Sequence, residues 1–269
     1  MGMFTGKKGV ILGVANDHSL AWHIAKFLHA EGAELGFNHL PDKGERNRNE
    51  RRIRQLAEPI GAKLILPCDV TSDEDIQHFF NCAEEAFGNI DFVVHSIAFA
   101  NVDDIRCATL DCSREGFKMA MDISCYSLIA TTRAAARIMN DGGSVLALSY
   151  YGGEKVIPGY NMMGICKSAL EMSIRYLAYD LGERSIRVNG ISAGPVRTLA
   201  ASAVGDFREM MSLYEAVSPL RRNVTGDEVG KSAGYLLGDM SSGTTGEILH
   251  VDCGYHAMGG FGAALKSEG

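Results

Sequence analysis

The chain alternates short apolar runs with longer segments of helical periodicity from one end to the other, and this alternation constrains its fold more than any other feature. Several of the short runs, such as VILG and FVVH, are continuously apolar, which is typical of strands buried on both faces of a parallel sheet. No linker rich in Pro, Gly or Ser interrupts the series, so we predict one α/β domain, either doubly wound or barrel-like. The predicted strands are 8–13, 33–38, 63–67, 91–95, 144–149, 186–191 and 247–251, and the predicted helices are 21–31, 45–59, 73–86, 114–139, 160–182, 206–216 and 227–238.

The charge balance argues against two classes of partner. The chain has 26 Lys and Arg against 33 Asp and Glu, a formal net charge of −7. Nucleic acid and anionic membranes both require a positive protein face, so neither is expected to bind. No apolar run approaches the roughly 20 residues that span a bilayer. The first ten residues also lack the apolar core of a secretory signal.

Cysteine and histidine usage indicates a reducing compartment and no metal centre. The seven cysteines are odd in number and form no CxxC pair, which predicts reduced thiols in a cytoplasmic protein. Most of these thiols are expected to be buried as small apolar groups. The eight histidines show no spacing typical of metal ligands, so we expect no metal site.

The first predicted strand leads directly into a turn of small residues, Gly13 to Ser19, and then into a helix. Such a turn lets a pyrophosphate approach the backbone, where N–H groups and the helix dipole face it. Gly13 is the only glycine of the turn, so this is not GxGxxG, and an ordinary strand-to-helix turn stays open as an alternative. Ser19 is also predicted to cap the helix through its side-chain oxygen.

Two further strand ends support a dinucleotide site. Asp69 and Val70 follow the third predicted strand, and Ile97 follows the fourth. Open α/β sheets bind ligands at the carboxyl ends of strands beside the first turn. Asp69 fits an acceptor for an adenine amino group, although it could instead cap a helix that starts near 71–73. With the order of the elements, these positions predict dinucleotide binding.

The end of the second predicted strand favours NADH over NADPH. Enzymes that use NADP often place an Arg or Lys here to pair with the 2′-phosphate, whereas this chain has Leu40. A 2′-phosphate would therefore be poorly paired. Lys43, Arg46 and Arg48 lie just beyond and could reverse this preference.

The segment 149–167 carries the candidate catalytic residues. The fifth predicted strand brings Tyr150 to its carboxyl end, and a Gly/Pro loop leads into a predicted helix with Tyr160 and Lys167. Seven residues turn a helix through about 700°, so both side chains are expected on one face, with the Lys167 ammonium leaning back towards Tyr160. A neutral phenol beside a cation is a proton donor suited to an oxyanion. On spacing alone, a chance association of these residues is the alternative.

The chain resembles a short-chain dehydrogenase/reductase in which the usual Tyr-x3-Lys is replaced by Tyr160-x6-Lys167. With this spacing, the motifs GVANDHSLA, DVTSDED, HSIAFA, DISCYS, RVNGISAGPVRTLAAS and GEILHVDCG resemble the bacterial enoyl-[acyl-carrier-protein] reductases of FabI type, in order across residues 4–254. The resemblance implies a single-domain Rossmann-type fold, a doubly wound parallel seven-stranded sheet. It also implies a homotetramer that uses NADH to reduce the trans-2 double bond of enoyl thioesters in type II fatty-acid biosynthesis, with acyl carrier protein as partner.

The resemblance assigns roles to individual residues. It implies that hydride reaches C3 of the substrate, that Tyr160 stabilises the enolate through the thioester carbonyl, that Tyr150 lines the same pocket and that Lys167 holds the cofactor ribose. Ala100 falls where the family contacts substrate. The residues that fall where the family binds the dinucleotide are Gly13, Ser19, Leu20, Asp69, Val70, Ile97, Lys167, Val196 and Thr198.

The substrate side shows departures from the usual family pattern. The resemblance implies a domain over 1–254, a segment near 195–216 that covers nicotinamide and acyl chain, and a small-residue tail at 255–269. Ala98 stands where a glycine is usual, which puts binding of triclosan-type inhibitors in doubt. Acyl carrier protein is acidic and requires a local basic patch. The candidates for that patch are Arg197, Arg208, Arg221, Arg222 and Lys231.

Two other functions are alternatives. A reductase of the same fold could act on a carbonyl or another activated alkene, but Tyr150 and the x6 spacing argue against it. A non-catalytic NAD(H)-sensing protein could use the same scaffold, and it predicts loss of Tyr160 or Lys167, both of which are present.

Overall fold

Seven parallel strands form one sheet in a computed structural model that describes residues 2–42, 47–196 and 207–260. The strand order is β3-β2-β1-β4-β5-β6-β7, so the sheet is doubly wound, as in the Rossmann type, and the barrel alternative is wrong. All seven predicted strands are confirmed. The strands are β1 Lys8–Leu12, β2 Glu34–His39, β3 Leu64–Pro67, β4 Ile90–His95, β5 Met139–Ser149, β6 Arg187–Ala193 and β7 Ile248–Val251.

Helices cover both faces of this sheet. They are α1 Leu20–Ala30, α2 Arg48–Ala57, α3 Asp73–Phe87, α4 Val102–Arg106, α5 Arg114–Met121, α6 Ser127–Ala136, α7 Asn161–Leu181, α8 Phe207–Val217 and α9 Gly226–Leu237. One apolar core lies between the sheet and α1, α2 and α9, and a second lies between the sheet and α3, α6 and α7. None of the described helices combines the length and the apolarity needed to cross a membrane.

The two cores explain why the strands read as continuous apolar runs. In β5, Leu146 and Leu148 enter the first core, whereas Val145 and Ala147 enter the second. Successive side chains of a strand point to opposite faces, so a strand covered on both faces needs apolar residues at every position. The strand order also reverses between β1 and β4, which brings the loops that follow these strands together at one edge.

The segment predicted as one helix over 114–139 differs in the structure. It is divided into α5, a π-helical turn at Asp122–Tyr126 and α6, and β5 begins at Met139. The Ser124 hydroxyl donates to the Phe99 carbonyl, outside the turn, and the Ser127 hydroxyl donates to the Ile123 carbonyl, inside it. A π-helical turn holds one residue more than an α-helical turn, so it interrupts the helical periodicity. Helix α4 was not among the predicted elements. Its five residues are too few for a periodic pattern to be visible.

The described part of the predicted tail packs against the domain. Tyr255–Ala257 forms a short 3-10 turn, and the Asp252 carboxylate accepts hydrogen bonds from the backbone N–H groups of Gly254 at 2.9 Å and His256 at 2.8 Å. Residues 261–269 lie outside the described residues. All seven cysteines are free thiols.

Candidate active site

The loop after β1 lies so close to the loop after β4 that only glycine fits between them. Gly13 has a φ of 95°, and a Cβ placed on it would lie 2.2 Å from the Ser96 carbonyl oxygen. Its N–H donates to Oδ1 of buried Asn38 at 2.9 Å, and Nδ2 of Asn38 donates to the Cys68 carbonyl at 3.3 Å. Asn38 therefore ties the ends of β1, β2 and β3 together. Sequence reasoning missed this role, although Asn38 is a polar residue in an apolar strand.

The N-terminus of α1 has unpaired backbone donors. Ser19 occupies the N-cap position, but its hydroxyl donates to the Asn16 carbonyl at 2.6 Å and accepts nothing from the helix, so the predicted side-chain cap is wrong. By contrast, Ser72, Ser113 and Thr225 accept from the first turns of α3, α5 and α9. The N–H groups of Leu20 and Ala21 donate to no residue in the described part of the chain. Such a free helix start suits an anionic phosphate.

The ends of β2 and β3 border this loop. Oδ1 of Asp69 accepts from the backbone N–H of Thr71 at 3.0 Å and from its hydroxyl at 2.8 Å, so the carboxylate shapes the turn before α3, while Ser72 caps that helix. Leu40 is exposed. Lys43 and Arg46 lie outside the described residues. Sequence reasoning missed Arg52, whose guanidinium donates to the Ala15 carbonyl at 3.2 Å.

The loop after β4 is held by the π-helical turn. His95 is 1% exposed, and its Nε2 lies 2.8 Å from the hydroxyl of Ser127. Burial, together with the nearby Lys167, lowers the pKa of His95 to about 3, so this side chain is neutral. The Ser124 hydroxyl accepts from the Phe99 N–H and donates to the Phe99 carbonyl, both at 3.0 Å. These bonds fix the segment that contains Ile97 and Ala100.

The relation between Tyr160 and Lys167 differs from the prediction. Tyr160 is the N-cap of α7, not a helical residue, and Asn161 follows it with a φ of 29°. Gly159, with a φ of 78°, and Pro158 precede it and keep the chain out of the helix. The argument from helix rotation therefore does not apply to this pair.

Lys167 bonds to β5 and not to the phenol. It is 5% exposed, and its Nζ donates to the Leu148 carbonyl at 2.6 Å. Burial lowers the pKa of Lys167 to about 8 and raises the pKa of Tyr160 well above its ordinary value. The hydroxyl of Tyr160 makes no hydrogen bond to any residue that the structure describes. Tyr160 is therefore a neutral, unengaged hydrogen-bond donor.

Tyr150 stands beside Tyr160 at the end of β5. The two ring centroids are 4.7 Å apart with an interplanar angle of 71°, an edge-to-face pair. Burial raises the pKa of Tyr150 to about 12. Its hydroxyl lies 2.8 Å from the hydroxyl of Tyr214 on α8, a residue that sequence reasoning missed. No local pattern singles out this tyrosine among the apolar positions of α8.

Buried polar groups support this end of β5. The Ser149 hydroxyl donates to Oε1 of Glu171 at 2.5 Å, and Glu171 is 3% exposed. Burial raises the pKa of the Glu171 carboxyl. Glu171 lies one helical turn after Lys167 on α7, so both side chains face β5. Glu171 was not predicted, because a single acidic residue in a helix carries no distinctive signal.

The predicted substrate side forms a small third cluster. Ala100 is 9% exposed and lies in this cluster together with buried residues of α4, α5 and α7. Val196 packs against the first core. Thr198 and Arg197 lie outside the described residues, as does the stretch 197–206 of the predicted cover, and the described part of that cover continues as α8. The other members of the third cluster are Ile105, Ala120, Met162, Met163 and Cys166.

The predicted basic patch is partly neutralised. Arg222 makes two hydrogen bonds to the Glu228 carboxylate, at 2.9 and 2.6 Å, so its charge is compensated. Arg221 is exposed and donates from one guanidinium nitrogen to the Ala216 carbonyl. Lys231 is exposed on α9. The described residues include no group of three or more His, Cys, Asp or Glu side chains placed to hold a metal ion.

Comparison with known proteins reveals close relatives over nearly the whole chain. A family model described as Enoyl-(Acyl carrier protein) reductase matches residues 13–256. A protein of Rhizobium meliloti (strain 1021) named enoyl-[acyl-carrier-protein] reductase [NADH] 1 is 53% identical over 258 residues, which are 96% of this chain and 93% of that protein.

Solved structures show the same similarity. The enoyl-(acyl-carrier-protein) reductase of Anaplasma phagocytophilum in complex with NAD has a TM-score of 0.91 and 50% identity, covering 96% of this chain and 97% of that chain. The Bacillus cereus enoyl-acyl carrier protein reductase with NADP+ and indole naphthyridinone has a TM-score of 0.92 and 47% identity, covering 96% and 100%. The doubly wound sheet is common to all three chains.

Proposed function

Because the chain belongs to the enoyl-(acyl carrier protein) reductase family, we propose that it reduces the trans-2 double bond of enoyl-[acyl-carrier-protein] thioesters with NADH, in fatty-acid biosynthesis. The observation that carries this proposal is the pair of neutral tyrosines at the end of β5, whose ring centroids lie 4.7 Å apart beside the switch point of the sheet. A phenol there can donate to an oxyanion at a point where a dinucleotide and a thioester meet.

Tyr160 is the principal donor to the substrate. When bound, NADH would supply a hydride to C3 of the enoyl thioester; negative charge would then develop on the thioester oxygen as an enolate, which would take up a proton at C2. The Tyr160 hydroxyl, free of other described partners, donates a hydrogen bond to that oxygen. Its raised pKa keeps the phenol protonated, so it stabilises the charge as a donor and does not lose its proton. Tyr150 lines the same pocket.

The dinucleotide is held at the carboxyl edge of the sheet. The free N–H groups of Leu20 and Ala21 suit the pyrophosphate, and Gly13 lets it approach the backbone. Lys167 holds the nicotinamide ribose. Its ammonium lies on the side of α7 that faces β5, and its N–H groups can donate hydrogen bonds to the ribose hydroxyls. The remaining residues that we assign to the dinucleotide are Ser19, Asp69, Val70, Ile97, Val196 and Thr198, and we assign Ala100 to the substrate.

NADH is the cofactor of the family relative from Rhizobium meliloti and is the one we assign to this chain. The uncharged Leu40 at the end of β2 supports this choice because a 2′-phosphate would find no cation on that side chain. The Bacillus cereus relative was crystallised with NADP+, so NADPH is the alternative that the activity test includes.

We further infer a homotetramer, supported by the outer face of α7. Its exposed stripe consists of Ile165, Met172, Tyr176 and Tyr179, which are 41, 49, 67 and 82% exposed. At 100° per residue these four positions fall within an arc of about 60°, opposite the buried face. Water-exposed Met and Tyr at helical spacing are typical of a surface that another subunit covers. A second copy of α7 is the occupant that we assign.

The division of the chain and its compartment are also proposals. We assign 1–254 to the catalytic domain, the segment near 195–216 to a cover over the acyl chain, and 255–269 to a C-terminal tail. The seven free thiols support a cytoplasmic location, where thiols stay reduced. Acyl carrier protein is the macromolecular partner, and Arg221 and Lys231 are the exposed described cations that we assign to its docking surface.

The activity can be tested by following the absorbance of reduced nicotinamide during incubation with a trans-2-enoyl thioester, with NADH and NADPH in parallel. We expect oxidation with NADH. Oxidation with NADPH alone would retain the reaction and overturn the cofactor assignment. If NADH bound without being oxidised, a carbonyl reductase or an NAD(H)-sensing protein would replace the proposal.

A further inference from the structure

The cover helix α8 reaches the catalytic end of β5 through a pair of phenols. The hydroxyls of Tyr214 and Tyr150 are 2.8 Å apart, and Tyr214 is 3% exposed. Each hydroxyl has one proton to donate, so one phenol of the pair must donate and the other must accept. The direction of this bond decides whether the Tyr150 proton is available to a substrate.

The neighbours of the pair indicate the direction. The Tyr150 hydroxyl has a second acceptor within reach, because Sδ of Met210 lies 3.5 Å away. Among the described residues, Tyr214 has no acceptor other than the Tyr150 oxygen. Both protons are therefore used only if Tyr214 donates to Tyr150 and Tyr150 donates to the thioether. A thioether is a weak acceptor, so a thioester oxygen that enters the site would displace it readily.

Tyr214 is held firmly enough to keep this direction. Its ring stacks on that of Tyr255, with centroids 3.7 Å apart and planes 12° apart. The last turn of α8 is also fixed, since Nδ2 of Asn223 donates to the Met211 carbonyl at 3.0 Å and the Ser218 N–H donates to the Tyr214 carbonyl at 2.8 Å. Because its ring is fixed, the Tyr214 hydroxyl stays within hydrogen-bond distance of the Tyr150 oxygen.

We propose that Tyr214 is a positioning residue whose hydroxyl donates to Tyr150 and so directs the Tyr150 proton to the thioester oxygen, as a second donor beside Tyr160. This inference rests on the proposed function. A hydroxyl that accepts a hydrogen bond becomes a stronger donor, because successive bonds polarise one another. The bond from Tyr214 also lowers the pKa of Tyr150, against the larger rise that burial causes, which makes its proton easier to share.

The test is a double-mutant cycle in kcat with a trans-2-enoyl thioester and NADH. Tyr214→Phe keeps the ring and its stacking, and it removes only the donor. We expect it to lower kcat roughly fivefold, the effect of one neutral hydrogen bond, with KM changed less than about twofold. In a Tyr150→Phe background the same change is expected to alter kcat by less than about twofold, because the group through which Tyr214 acts is gone.

Controls separate this inference from the function itself. Tyr255→Phe makes the same chemical change on the stacked neighbour, whose hydroxyl bonds to no described residue, and is expected to leave kcat unchanged. An equal loss from Tyr214→Phe in both backgrounds would show that Tyr214 acts by packing, and no loss in either would show that it plays no part. If the wild-type chain itself failed to oxidise NADH, the proposed function would fail before the cycle was measured.

Discussion

At the scale of single residues, the candidate site has two unusual groups, a phenol with no partner among the described residues and a buried cation. Tyr160 stands at the N-cap of α7, where most helices have a Ser, Thr, Asp or Asn that bonds back to the helix. A tyrosine cannot make that bond, so its hydroxyl is free for a ligand. Lys167 is also unusual for a cation. Its side chain is only 5% exposed where it contacts β5, and this burial lowers its pKa.

Removing the Tyr160 hydroxyl tests its role as an oxyanion donor. Tyr160→Phe is expected to lower kcat about 100-fold, the usual effect of losing one donor that acts in the transition state. The affinity for NADH should not change, because the phenol acts on the substrate. Steady-state kinetics and NADH fluorescence titration measure the two effects. Tyr235→Phe, on α9, is the control, and a kcat for Tyr160→Phe equal to that of this control would contradict the role.

The lowered pKa of Lys167 predicts a pH dependence of cofactor binding. The ammonium is present below about pH 8 and is lost as the pH rises through that value. A neutral amine keeps fewer donors and no charge, so the Kd for NADH should rise above about pH 8. Titrations across this range with the wild type and Lys167→Met measure the effect. The variant should bind more weakly with no such dependence, and a parallel pH profile in both proteins would count against Lys167.

At the scale of elements, the strands were more predictable than the positions of the side chains. All seven strands were predicted, several of them from continuous apolar runs, because β1, β4 and β5 are buried on both faces. The five residues of α4 and the π-helical turn gave no periodic signal. Tyr160 was predicted within the helix but lies at its N-cap. The cause is the φ of 29° at Asn161, which sequence spacing does not reveal. Tyr214 was missed because its role depends on the approach of α8 to β5, a contact across 64 residues.

The first βα turn offers a test of close approach. In Gly13→Ala the new Cβ would meet the Ser96 carbonyl oxygen at 2.2 Å, so the loops after β1 and β4 must separate. We expect a lower melting temperature and weakened NADH binding. The matched control is Gly61→Ala, which has a φ of 73° but no atom within 4 Å of its Cβ, and costs only the about 1 kcal/mol of a left-handed conformation. Equal melting temperatures for the two variants would remove the steric argument.

At the scale of the whole molecule, α7 is apolar on both sides. Its 21 residues extend for about 31 Å, with one face buried against the sheet and the opposite stripe of Met, Ile and Tyr exposed. A contiguous exposed stripe of Met, Ile and Tyr is typical of a surface that another protein surface covers. In the homotetramer that we propose, another copy covers this stripe, and Lys167, to which we assign the cofactor ribose, lies on the inner face of the same helix.

Assembly can be disrupted at one position. Tyr176→Glu places a charge within the exposed stripe, and we expect smaller particles in light scattering after gel filtration. Tyr176→Phe keeps the apolar ring and should retain the mass of the wild type. If both variants had the same mass as the wild type, or if the wild type itself were monomeric, the α7 face would not be the interface.

The strand order also determines when each strand can pair with its neighbours as the chain is synthesised. β1 leaves the ribosome first but lies in the middle of the sheet, and its second neighbour, β4, ends only at His95. Until then β1 has an unpaired edge that can associate with other nascent chains. The cleft after Gly13 does not exist before that moment either, because Ser96 forms its other wall. This cleft is therefore complete only once β4 has docked on β1.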